Sequence, residues 1–126
     1  MKPTFAVALF LLLTASPAFA AGSVTATVSS VRVDAATGRG FIFFSTNIST
    51  PATCAASANY SMMNVFAFDT TTAGGKSILS LAASAKLAGR TITAFGTGTC
   101  LLYPRTETCG SGLCGWGEDI SYMTMN

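Results

Sequence analysis

The sequence has no histidine among its 126 residues, and only 10% of its residues are charged. The absence of histidine excludes Ser-His-Asp triads, histidine proton shuttles and imidazole metal sites. Seven basic against five acidic residues leave a formal charge of +2, too little to neutralise many phosphates of a nucleic acid. Half of the residues are hydrophobic, which excludes an intrinsically disordered chain. We therefore expect one globular domain that uses no cofactor and binds no nucleic acid.

Long hydrophobic runs are also scarce, and the one that stands out lies at the N-terminus. Lys2 precedes an apolar run from Phe5 to Leu13, and Ala18-Phe19-Ala20 forms a small-x-small cleavage site. This pattern predicts a secretory signal peptide over residues 1–20, cut before Ala21. The run is too short to cross a hydrocarbon core of about 30 Å. The expected protein is thus secreted or periplasmic in a bacterium, with one mature domain over residues 21–126 and no membrane span after cleavage.

The four cysteines are Cys54, Cys100, Cys109 and Cys114. An even number in a short exported chain predicts two disulfides, for which three pairings exist. The glycines between Cys109 and Cys114 favour a local bridge, which leaves Cys54 to pair with Cys100. The C-x-x-C spacing of redox pairs is absent, and only one pair has local spacing suited to zinc. Structural disulfides are therefore expected, and a metal site is not.

Hydrophobic periodicity predicts a mainly β domain with one helix. Alternating apolar and polar residues indicate five strands, at about residues 24–33, 40–46, 62–68, 90–95 and 120–125. In the last strand, Ile120, Tyr122 and Thr124 are expected on one side. Between the third and fourth strands, apolar residues at helical spacing end at Ala88. Residues 69–72 offer capping side chains before this helix, and Gly89 is a suitable terminator. This β-β-β-α-β-β order predicts a small OB-fold-like barrel, with an open α+β sheet as the alternative.

Two glycine-rich segments resemble nucleotide-binding motifs without completing them. Gly75-Lys76-Ser77 matches the end of a P-loop, but the earlier glycine is replaced by Thr70. Gly96-Thr97-Gly98-Thr99 lacks the third glycine of the dinucleotide fingerprint. We interpret the first segment as the entry to the helix, with Lys76 solvated. The second is interpreted as a bulged or closely packed strand end, approached by another backbone.

Catalytic chemistry has little support in the sequence. Glu118 and Asp119 form the only pair of neighbouring carboxylates, and neighbours on a strand point to opposite faces. They therefore cannot flank one bond as a glycosidase pair does. Nothing in the sequence indicates a buried carboxylate with a raised pKa. We expect a protein that is not an enzyme, and a hydrolase that uses carboxylates alone is the weakest of three hypotheses.

A candidate ligand site surrounds the cysteine pair near the C-terminus. Trp116, the only tryptophan, follows Cys114, while Tyr103 and Arg105 precede Cys109. Aromatic and polar side chains on a loop fixed by a disulfide are typical of sites that hold a sugar or a partner protein. The alternative is that Trp116 covers the end of the barrel or stacks on the disulfide.

Several segments of the chain resemble a group of small exported bacterial proteins of unknown function. The resemblance covers about residues 24–125 and is carried by Phe68-Asp69-Thr70, Gly74-Gly75-Lys76-Ser77-Ile78-Leu79-Ser80, Gly96-Thr97-Gly98-Thr99-Cys100 and Trp116-Gly117-Glu118-Asp119-Ile120-Ser121-Tyr122. More distantly, the chain is similar to the B subunit of subtilase cytotoxin in strand order, size and a disulfide between the loop before strand three and strand four. That family forms OB-fold pentamers that bind sialylated glycans. None of its sugar-binding residues is carried over, and the segment from Cys109 to Cys114 departs from the pattern.

The first hypothesis is therefore an exported, non-enzymatic module that binds a glycan or another exported protein and forms homo-oligomers as toxin B subunits do. The alternative is a monomeric structural or inhibitory secreted protein that its disulfides stabilise.

Overall fold

The computed structural model describes residues 21–55, 63–102 and 117–126, in which the chain forms five strands and one helix. In chain order these elements are β1 Ser23–Val33, β2 Arg39–Phe44, β3 Val65–Asp69, α1 Ala73–Ala88, β4 Thr91–Gly96 and β5 Glu118–Met125. The predicted mainly β class and the β-β-β-α-β-β order are confirmed. The predicted signal peptide over residues 1–20 lies outside the described residues.

The five strands close into a ring in the order β1-β2-β3-β5-β4. Strand β1 pairs antiparallel with both β2 and β4, and β2 pairs antiparallel with β3. The ring is completed by an antiparallel β4–β5 pair and a short parallel β3–β5 pair. A closed ring excludes the open sheet that was the alternative, and it leaves few unpaired strand edges.

The hydrophobic core fills the inside of this ring and extends to helix α1. On β1, alternate side chains belong to the core while the polar ones between them stay partly or fully exposed, as period-2 patterning requires. The buried core consists of Val24, Ala26, Val28, Ile42, Phe44, Ile48, Phe66, Phe68, Ala82, Ala85, Ile92, Ala94 and Met123. The rings of Phe44 and Phe66 meet edge to face at 5.9 Å between centroids.

Helix α1 has the ends that its sequence predicts. The Thr72 hydroxyl accepts the N–H of Gly75 at 3.0 Å, and Gly89 ends the helix in the left-handed conformation at φ 63°. A Cβ on Gly75 would lie 1.6 Å from the carbonyl oxygen of Asp69, so only glycine fits where the chain enters the helix. Lys76 is exposed. The structural interpretation of Gly75-Lys76-Ser77 is therefore confirmed. Among the described residues, no helix is long and apolar enough to cross a membrane.

The predicted sidedness of β5 is wrong. The register between β4 and β5 shifts at Phe95/Gly96, where Phe95 pairs with Tyr122 and Gly96 with Ile120. This bulge adds one residue to β5, so Ile120 packs against the core while Tyr122 stays 54% exposed. A prediction that assumes strict two-residue alternation along the whole strand cannot detect this bulge.

Candidate functional site

The predicted ligand residues Trp116, Tyr103 and Arg105 lie outside the described residues, as do Cys109 and Cys114. The structure does describe both flanks of this segment, Leu101 and Leu102 on one side and residues 117–119 on the other. The geometry of these flanks shows how the segment 103–116, which we call the C-terminal loop segment, is attached to the ring.

Both flanks lie against one apolar cluster, separate from the core inside the ring. Phe41, Val65 and Ala67 form this second cluster, and Leu102 packs against it. On the other flank, a Cβ on Gly117 would lie 2.8 Å from Cγ1 of Val65. The close fit of Gly117 and the packing of Leu102 fix the two ends of the segment at strands β2 and β3.

The Asp119 carboxylate provides a second attachment. Its two oxygens accept the N–H of Leu101 at 2.7 Å and of Leu102 at 3.2 Å, while its backbone pairs with Thr97 and Thr99 at 2.8 Å each. Burial raises the pKa of the Asp119 carboxyl above its usual range, against the opposing effect of these N–H donors. Asp119 is thus a buried carboxyl with a raised pKa, which nothing in the sequence indicates. Sequence alone did not show that the adjoining loop would cover it.

Glu118 is fully buried, and three backbone N–H groups surround its carboxylate. Oε1 accepts from Gly22 at 3.0 Å and from Gly98 at 2.7 Å. Oε2 accepts from Gly22 at 3.1 Å and from Ala52 at 2.9 Å. These donors come from the start of β1, the loop after β2 and the loop after β4. One side chain therefore joins three segments that are distant in the sequence, and both of its oxygens are used.

The glycines around Glu118 make this arrangement possible. A Cβ on Gly96 would lie 2.0 Å from Oε1 of Glu118, and one on Gly22 would lie 2.7 Å from Oε2. Gly98 adopts φ +81°, a conformation that side-chain-bearing residues rarely take. The interpretation of Gly96-Thr97-Gly98-Thr99 as a bulged, closely packed strand end is thus confirmed. A backbone approaches Gly96, whose N–H donates to the carbonyl oxygen of Gly22 at 2.8 Å, and a Cβ on Gly96 would also meet the buried Glu118 side chain.

A disulfide joins the same loops. Cys54 is bonded to Cys100 with a Cα–Cα distance of 6.1 Å, which confirms this predicted pair. Cys54 follows Ala52, a donor to Glu118, and Cys100 precedes Leu101, a donor to Asp119. The disulfide and the two carboxylates therefore stabilise the same end of the ring. Both flanks of the C-terminal loop segment lie at this end.

Sequence reasoning did not assign Glu118 this role. Its donors lie 96, 66 and 20 residues away in the chain, so no local pattern places them together. The available signal was an acidic residue at the start of a strand, in a chain with glycines at the ends of β1 and β4. Glu118 and Asp119 were predicted to point to opposite faces of the strand. In agreement, their side chains contact different segments of the chain.

A shallow groove of about 500 Å³ lies between α1 and the end of β5. Its lining combines three serines, one cation and two apolar side chains, and consists of Lys76, Ser77, Ser80, Leu81, Ser84 and Met125. The Ser77 hydroxyl is already bonded to the carbonyl oxygen of Ala73 at 3.1 Å. Nothing in this groove reproduces the glycine-rich loop that cradles phosphate in a P-loop.

Among residues 21–55, 63–102 and 117–126, no three metal-ligating side chains come together. Comparison with known proteins finds no matching family model, curated protein or solved structure.

Proposed function

We propose that the ring is an OB-fold barrel. Five strands in the order β1-β2-β3-β5-β4, closed by a parallel β3–β5 pair, support the assignment, as does a helix between β3 and β4. OB-folds are small Greek-key barrels that bind oligosaccharides and oligonucleotides. With a formal charge of +2 and 10% charged residues, this chain is suited to the first class of ligand and not to the second.

We propose further that the protein is an exported, non-enzymatic module that binds a glycan through the C-terminal loop segment. The observation that carries this proposal is the double attachment of the segment, by Asp119 and Leu102 at one end and by Gly117 at the other. Binding residues are commonly placed on loops whose ends a rigid scaffold fixes. Trp116 supplies an aromatic surface for a sugar ring, and Arg105 a cation for an acidic sugar.

In this proposal the two buried carboxylates are structural. Each oxygen of Glu118 and Asp119 accepts at least one backbone N–H, so these acceptors are committed to holding loops. A general base needs a carboxylate that reaches its substrate's proton. Because the oxygens of both carboxylates already accept backbone N–H groups, this end of the ring is better suited to binding than to acid-base catalysis.

The proposal includes assembly into a homo-oligomer, as the resemblance to toxin B subunits implies. Several large apolar side chains are available for contacts between subunits because they are exposed in the single chain. Leu87 on α1 is 90% exposed, Leu101 is 77% exposed and Met125 on β5 is 44% exposed. Burial of apolar surface is the main favourable contribution to such association.

The loop proposal is tested with Trp116→Ala in the mature protein, residues 21–126. On an array of sialylated and neutral glycans, the unchanged protein is expected to bind acidic members, and Trp116→Ala to bind those members at least tenfold more weakly. Val33→Ala is the matched control, since it removes an exposed apolar side chain from the end of β1 instead.

The melting temperature separates binding from stability. If Trp116→Ala keeps full binding but melts at a lower temperature, Trp116 covers the ring and the proposal is wrong. A protein that binds no glycan on the array would contradict it as well. The expected result is unchanged melting together with lost binding.

A further inference from the structure

The outer surface of β1, β4 and β5 carries two rows of side chains in register. Strand pairing sets Ser23 opposite Phe95 and Phe95 opposite Tyr122, which gives an aromatic row. Two residues along each strand, it sets Thr25 opposite Thr93 and Thr93 opposite Thr124, which gives a threonine row. Because side chains alternate between the two faces, both rows lie outside the ring while their neighbours fill its core. We call these six residues the outer β1-β4-β5 face.

The aromatic row presents a pre-ordered platform. The Phe95 and Tyr122 rings stack with centroids 4.7 Å apart and 21° between their planes. Phe95 is partly buried and covers one side of the Tyr122 ring, yet Tyr122 keeps 54% of its surface exposed. A ring that its neighbour already holds in place loses little conformational freedom when a ligand packs against it. An exposed, fixed tyrosine is therefore suited to binding.

The threonine row supplies oriented hydroxyl groups beside this platform. The hydroxyls of Thr25 and Thr93 are 2.9 Å apart, and the Asn126 side-chain amide donates to the Thr93 hydroxyl at 3.0 Å. Each hydroxyl has one donor and two acceptor positions, so these bonds orient the groups without exhausting them. Residues two apart on a strand are separated by about 7 Å, so one ligand can contact both rows.

The composition of this face selects the ligand. None of its six residues is charged, so it offers no counter-charge to a phosphate, a sulfate or a sialic acid. Its apolar part is a single pair of rings, whereas a stable protein interface needs about 800 Å² on each partner. A ligand with one apolar ring face and many hydroxyl groups matches both rows, and a neutral saccharide has that chemistry.

We propose that the outer β1-β4-β5 face is a binding surface for neutral saccharides. A sugar ring packs on Tyr122, and its hydroxyl groups bond to the threonine row. All six residues lie on described strands, and none belongs to the C-terminal loop segment. The surface is therefore a second site, and it does not depend on the loop proposal.

The test measures affinity for neutral polysaccharides. Native gels containing dextran, laminarin or galactomannan, and an array of neutral oligosaccharides, are run with the mature protein and its variants. The unchanged protein is expected to be retarded by at least one polysaccharide. Tyr122→Ser is expected to weaken that binding at least tenfold, because it removes the platform, and Thr124→Val several-fold. Tyr122→Phe should keep most of the affinity, since the ring remains.

Two controls distinguish this surface from other causes. Val33→Ser removes an exposed apolar side chain at the end of β1 and should bind as the unchanged protein does. Trp116→Ala alters the loop segment and should keep the neutral-saccharide binding. Saccharide affinities are compared among variants that have the same melting temperature. If Tyr122→Ser melts at a lower temperature, Tyr122→Phe serves as the folded reference.

The outcomes separate the two proposals. The proposal is wrong if no neutral saccharide binds, or if binding is unchanged in a folded Tyr122→Ser variant. If Trp116→Ala abolishes all glycan binding and Tyr122→Ser abolishes none, the loop proposal stands alone. If Tyr122→Ser abolishes neutral binding and Trp116→Ala has no effect on any glycan, the outer β1-β4-β5 face stands and the loop proposal fails.

Discussion

Replacing Glu118 with glutamine is expected to lower the free energy of unfolding by about 3 kcal/mol, which is more than about 10 °C in melting temperature for a domain of this size. Both carboxylate oxygens accept backbone N–H groups, from Gly22, Gly98 and Ala52. Glutamine has the same shape, but its NH₂ group must face at least one of these donors. A buried hydrogen bond is then replaced by a repulsive contact, and a donor is left without an acceptor.

Asp69→Asn is the matched control for this prediction. It also exchanges a carboxylate for an amide, but a single oxygen, Oδ1, accepts both the N–H and the hydroxyl of Thr71. An asparagine can keep its oxygen in that place, so we expect a much smaller loss than for Glu118→Gln. Urea unfolding of both variants measures the difference. Equal and small losses would show that the Glu118 carboxylate contributes little to the link between the three segments.

Removing the disulfide between Cys54 and Cys100 is expected to cost about 4 kcal/mol in the chain-entropy model, because the bond closes a long loop. The two cysteines are 46 positions apart in the sequence. Total stabilities of single domains are about 5–15 kcal/mol, so this loss is a large share. Urea unfolding of the double variant Cys54→Ser/Cys100→Ser checks the value, with both residues changed together so that no single thiol remains at this site.

The control for the disulfide is the double variant Cys109→Ser/Cys114→Ser. The same model assigns a smaller cost, about 2 kcal/mol, to a bridge that closes only a short loop. The free energy of unfolding is therefore expected to be highest for the unchanged protein, lower for the Cys109/Cys114 variant and lowest for the Cys54/Cys100 variant. A Cys54/Cys100 variant that unfolds at the same urea concentration as the unchanged protein would contradict this account of the ring's stability.

Local signals predicted much of the fold correctly. The alternation of Val24, Ala26 and Val28 with polar residues predicts a strand with one face in the core, and all three are buried in the structure. Capping near Thr72 and termination at Gly89 follow from side chains and conformations within one turn of the helix. The Cys54–Cys100 bond was predicted by counting cysteines and from the glycines in the sequence between Cys109 and Cys114. Each of these inferences needs only neighbouring residues or a small number of alternatives.

What the sequence could not show depends on long-range contacts. The bulge in β5 is set by how that strand pairs with β4, and it places Ile120 against the core instead of on the same side as Tyr122. The burial of Glu118 requires three segments to meet. The outer β1-β4-β5 face was equally hidden, because Phe95 and Tyr122 become neighbours only through strand register. Sequence reasoning placed the ligand site at Trp116, Tyr103 and Arg105 because aromatic and polar types cluster there.

We propose that the protein is a binding subunit and not a monomeric structural or inhibitory protein. Native mass spectrometry of the mature protein, secreted from a host that removes the signal peptide, tests it most directly. The account predicts a closed homo-oligomer whose subunits begin at Ala21 and whose denatured mass lacks four thiol hydrogens. A monomer at micromolar concentration would contradict the claim, and the stabilised monomeric alternative would replace it.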